Sequence, residues 1–133
     1  MNIDTMKAGR EMDALVAEKV MGCSALVRKD YSWKLSGGDI DGFSGTVWFC
    51  KCAGMHNAQS GDGLIKSYST NLAAAWDIMD HLIDLHPAIM WENCEWECCL
   101  DDHNKGHGEQ FWGYADTAPL AICRAALKAV EGK

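Results

Sequence analysis

The sequence predicts an α/β protein, a single domain over residues 1–133 with three helices carried on a small antiparallel or mixed β-sheet in the order helix, strand, helix, hairpin, helix. Three segments carry apolar residues at three-to-four spacing between their own start and stop residues. The segments between them alternate with a period of two. No Pro- or Ser-rich linker divides the chain, and 48% apolar with 23% charged residues suits one core.

The first helix is expected over Met6–Met21, capped by Thr5 and stopped by Gly22. Met12, Leu15, Val16, Lys19 and Val20 follow the helical period, with Lys19 at the edge of the stripe; Lys7, Arg10, Glu11, Asp13 and Glu18 form its polar face. One strand is expected in "GTVWFCKC", residues 45–52, flanked by the turn-rich loops "SGGDIDGFSG" and "GMHNAQSGDG". The second helix follows Ser69 and Thr70, buries Leu72, Ala75, Trp76, Met79, Leu82, Ile83 and His86, and ends at Pro87. Next, "IMWENCEWECCL" and "EQFWGYA" read as two strands joined by the polar tip "DDHNKGHG". The third helix is capped by Asp116 or Thr117, carries Pro119 in its first turn and buries Leu120, Cys123, Leu127 and Val130.

Composition excludes several function classes. A formal charge of −7 lacks the clustered Lys and Arg that a phosphate backbone requires, so nucleic acid is not an expected partner. Neither a membrane span nor a secretory leader is expected, which places the protein in the cytoplasm of the cell that makes it. The seven cysteines are an odd number lying mostly on expected helix or strand, so thiols or metal ligands are expected, not a disulfide framework.

The stretch "WENCEWECCLDDHNKGH", residues 91–107, concentrates cysteine, histidine, carboxylate and tryptophan. A period of two puts Cys94, Trp96, Cys98 and Leu100 on the core side, which makes Cys94 and Cys98 small buried hydrophobes. Asn93, Glu95, Glu97 and Cys99 fall on the other side. Cofactors are expected to be none. The alternative is a structural zinc, whose four ligands would be Cys52, His56, His103 and His107, residues at strand ends and loop tips. The spacing is not that of a zinc motif, because a C-x-C pair in a strand holds its thiols about 7 Å apart. Cys99 with His103 is the one nucleophile and base pairing the pattern exposes. No phosphate loop, nucleophile elbow or calcium loop is present. Six tryptophans cannot all be enclosed in a domain of this size, and Trp33 and Trp91 are the best placed for a binding surface.

"AGREMDALVAEKVMG", "YSTNLAAAWDIMDHL" and "ADTAPLAICRAALKAVE" together resemble the phage ABA-sandwich domain proteins, small products of bacteriophages and prophages. The resemblance implies α/β/α layering and brings no catalytic residues to this chain. With it, the sequence points to a non-enzymatic phage accessory protein that binds a host protein, for instance a defence component. The alternative is a sequestering protein for a small nucleotide signal, using the glycine-rich loops and a tryptophan for stacking. An enzyme relying on a metal or on Cys99 ranks last. Oligomerisation across the sheet edges is open in either case.

Overall fold

The computed structural model describes residues 3–23, 26–34, 41–51, 64–102 and 109–131. Helix α1 (Arg10–Lys19) is followed by strands β1 (Leu26–Lys34) and β2 (Asp41–Cys50) and by helix α2 (Leu72–His81). Strands β3 (Ala88–Glu92), β4 (Glu95–Asp102) and β5 (Glu109–Ala115) then lead to helix α3 (Ala118–Glu131). Short 3₁₀ turns occupy Ile3–Thr5 and Ile83–Leu85. The protein is thus α/β, with three helices and two small antiparallel sheets, β1–β2 and β3–β4–β5.

Helix α1 starts later than its periodicity suggests because the chain is not helical at Gly9, whose φ of 150° favours glycine. Gly9, not Thr5, precedes the first turn. Its stop is as expected: Gly22 turns left-handed at φ 76°, and the Cys23 amide returns 2.8 Å to the Ala17 carbonyl. Asp13, expected on the polar face, is buried beside Met12, Val16 and Ala17.

The first sheet holds a strand that the sequence pattern did not reveal. Strand β1 pairs antiparallel with β2 from Leu26 opposite Cys50 to Lys34 opposite Asp41, with a register shift between Ser32 and Lys34. Strand β2 begins at Asp41, inside the expected loop, because pairing with a neighbour overrides the weak strand propensity of Gly, Asp and Ser.

In α2, Asn71 is the cap, accepting from the Ala74 amide at 3.0 Å. The helix ends at His81 and presents Ala75, Ile78 and Met79 to the core. Leu72, Trp76 and Ile83, expected inside, are exposed instead. The buried stripe is rotated from the expected one toward Ala75, Ile78 and Met79, and α2 packs against α3. Helix α3 is the centre of the molecule. Leu120, Cys123 and Leu127 are buried as expected, Val130 is half-buried, and Ala121, Ile122, Ala125, Ala126 and Ala129 are buried as well. It contacts β4, β5, α1 and α2. A side chain at Gly113 of β5 would fall on the Ala121 carbonyl and the Ala125 amide, so strand and helix backbones meet there directly.

Candidate functional site

The stretch expected to be one strand, residues 89–100, is itself a hairpin. Asn93 and Cys94 link β3 to β4 with φ of 53° and 62°, as a two-residue turn with both central residues left-handed requires. Cys94 therefore sits exposed on the turn and is not a core residue. Glu92 and Glu95 face each other across it, followed by Trp91 with Trp96, Met90 with Glu97, Ile89 with Cys98 and Ala88 with Cys99. Strand β5 continues the sheet, setting Tyr114 beside Glu97, Gly113 beside Cys98 and Trp112 beside Cys99.

These registers divide the sheet into two faces. The inner face carries Gly113, Cys98 and Ile89 in one row and Phe111 and Leu100 in another, and α3 covers it. The outer face carries Ala88, Met90 and Glu92 on β3, Glu95, Glu97, Cys99 and Asp101 on β4, and Gln110, Trp112 and Tyr114 on β5. Met90, Tyr114 and Glu92 are exposed there, and the Trp112 and Tyr114 rings stack with centroids 6.1 Å apart. Some desolvation, then the nearby carboxylates Glu92 and Glu95, hold the Glu97 carboxyl above its usual range. Desolvation, then Glu97 and Glu95, likewise push the Tyr114 phenol up.

The two edges of this sheet are treated differently. On β5, Lys128 donates to the Trp112 carbonyl at 2.9 Å and Arg124 to the Tyr114 carbonyl at 2.6 Å, so α3 caps that edge. On β3 no strand pairs with the far edge among the described residues. Trp91 projects from this edge with 56% of its surface exposed, its ring edge-on to Trp96 at 5.5 Å.

A concavity of about 290 Å³ opens at the start of α1, lined by Gly9, Arg10, Asp13, Trp48, Ser67 and Thr70 among others. Its floor is a buried polar knot: Asp13 accepts from the Ser69 amide at 2.7 Å and from the Ser69 hydroxyl at 2.6 Å, while the Gly9 amide donates to that hydroxyl at 2.9 Å. Burial raises the Asp13 carboxyl above the ordinary aspartate value against the lowering pull of Ser69 and Arg10. Contacts 56 residues apart leave no local signal, so this pairing is not legible in the sequence.

Burial disfavours the thiolate at Cys98, Cys99 and Cys123. Cys99, expected to be exposed, is buried between its cross-strand neighbours Ala88 and Trp112; burial and then Asp101 push its thiol up. Burial lifts the Cys98 thiol to about 12 and the Cys123 thiol well above its ordinary value. Cys23 and Cys50 lie buried with their sulfurs 3.5 Å apart. Cys52, His56, His103 and His107 lie outside the described residues, as does the side chain of Trp33, a residue of β1. Among the described residues no three His, Cys, Asp or Glu side chains converge on a metal position, and no helix is long and apolar enough to cross a membrane.

The family model for the phage ABA sandwich domain matches residues 14–127. Comparison with curated proteins and with solved structures returned no match.

Proposed function

Because the chain belongs to the phage ABA sandwich domain family, we propose that it is a phage accessory protein that binds a host protein in the bacterial cytoplasm and performs no chemistry of its own. A host defence component is the kind of target such a protein would occupy. The observation that carries this reading is Trp91, a large aromatic side chain left 56% exposed on a strand edge that has no partner among the described residues. Tryptophan on a rigid element loses little conformational freedom on docking and buries much area, which is why it dominates binding hot spots. The thiols with raised pKa values supply no ready nucleophile, in keeping with a binding role. The finer expectation of α/β/α layering belongs to the same proposal.

The test is capture from bacterial host cytosol by wild-type protein and by Trp91→Val in parallel. A stoichiometric partner held by the wild type and lost by a folded Trp91→Val supports the reading. Equal capture by both, or none by either, overturns it.

The concavity beside α1 favours a second reading, a binder of a small nucleotide-like ligand. Arg10 supplies a cation, Ser67 and Thr70 supply hydroxyls, and Trp48 supplies an aromatic surface around about 290 Å³. Native mass spectrometry of protein purified from phage-infected cells separates the two, because a retained ligand of nucleotide mass belongs only to this one.

A further inference from the structure

The hairpin turn fixes which backbone groups of β3 face outward. A two-residue turn makes Glu92 and Glu95 a hydrogen-bonded pair, so pairing alternates from there: Met90 with Glu97 is bonded, whereas Trp91 and Ile89 turn their N–H and C=O groups away from β4. These groups form a short template for another strand. The side chains on either side of that template differ in kind. Ile89 and Trp91 lie on the inner side, and Trp91 leaves apolar surface uncovered. On the outer side lie Glu92, Glu95 and Glu97 with Met90 between them, and among the described residues no cation pairs with these carboxylates.

Glu92 directly opposite Glu95 is a like-charge cross-strand pair, an arrangement that weakens a hairpin. Glu97 adds a third carboxylate one row along. Among the described residues no ion pair offsets this crowding, and a cationic partner would relieve it.

We propose that β3 docks an extended basic segment of a protein partner as a fourth strand, with Lys or Arg side chains over Glu92, Glu95 and Glu97 and apolar ones beside Ile89 and Trp91. This rests on the partner-binding reading above and names the chemistry that the partner brings. An added strand lies about 4.8 Å beyond β3 and so about 10 Å from β4. A lysine stem lying across Met90 spans that gap to Glu97. Pairing of main chains supplies affinity, and the alternation of apolar with basic side chains supplies selectivity. A second copy of this chain is the wrong occupant, because it brings the same three glutamates and a further charge of −7 to the edge.

The test titrates dye-labelled, end-blocked decapeptides into the purified protein. One alternates valine and lysine; a second has the same composition with the alternation broken; a third alternates valine and glutamate. The first is expected to bind at least about tenfold more tightly than the others and to weaken about tenfold between low and 0.5 M salt. The triple variant Glu92→Gln, Glu95→Gln, Glu97→Gln should abolish the salt dependence. Trp91→Pro, which removes an outward-facing N–H without touching the β4 ladder, should weaken binding further than Trp91→Val, which removes the indole alone. Equal binding of the three peptides overturns the proposal, as does indifference to the glutamines or to Trp91→Pro, or a dimer in the native mass spectrum that uses this edge. If no peptide binds while a host protein is still captured through Trp91, the basic-strand inference falls and the partner-binding reading stands. If capture ignores Trp91, both fall.

Discussion

The inner and outer faces of the β3–β4–β5 sheet come from the same three strands in alternation, yet the inner one is packed far more completely. On the inner face Gly113 lets the strand touch the α3 backbone and Leu100 is 2% exposed. On the outer face Met90, Glu92 and Tyr114 are open to solvent, and three glutamates crowd together where a structural sheet would alternate charge. The edges repeat the contrast, one capped by Lys128 and Arg124 and the other bare among the described residues. The difference teaches where sequence change is constrained by packing and where it is not.

The sharpest way to break the contrast is to overfill the inner face. Gly113→Val drives a side chain into the Ala121 carbonyl and should cost about 4 kcal/mol or prevent folding, measured by urea denaturation. Leu100→Ala on the same face should cost about 3 kcal/mol, whereas Met90→Ala on the outer face should cost below about 0.5 kcal/mol. Cys94→Gly relieves a left-handed non-glycine residue in the turn and should stabilise by about 1 kcal/mol. Glu95→Lys turns the like-charge pair with Glu92 into an attractive one and should add about 0.5 kcal/mol, an increment that shrinks with salt.

The pH dependence has the smallest expected amplitude. Asp13 and Glu97 both have folded-state values raised above their ordinary ones, so the folded chain binds more protons than the unfolded chain in the window between the two values. Their contribution is most favourable below the ordinary carboxylate range and is lost as pH rises through the raised values. Stability should therefore fall as pH rises across that window. Asp13→Asn together with Glu97→Gln should flatten the slope in thermal melts taken across mildly acidic pH.

Much of this molecule was legible in its sequence, for reasons that differ by element. Helix α3 and the Gly22 stop of α1 announce themselves through periodicity and a left-handed glycine, both local signals. The buried stripe of α2 was misplaced because Leu72, Trp76 and Ile83 are as apolar as core residues while the structure leaves them outside. Strand β1 was missed because its "RKDYS" centre lacks a strand signature and depends on β2 for its form. The Asn93–Cys94 turn carries no local signal, because cysteine stands where glycine usually marks such a hairpin. That turn matters most, because the register it sets gathers Glu92, Glu95 and Glu97 on the outer face and leaves Trp91 on the open β3 edge.

The most direct test of that open edge is residue-resolved amide exchange of the free protein by NMR. Ile89 and Trp91 should exchange rapidly while Met90, bonded to β4, is protected. Equal protection of all three would mean that the edge is already covered, and would contradict the account.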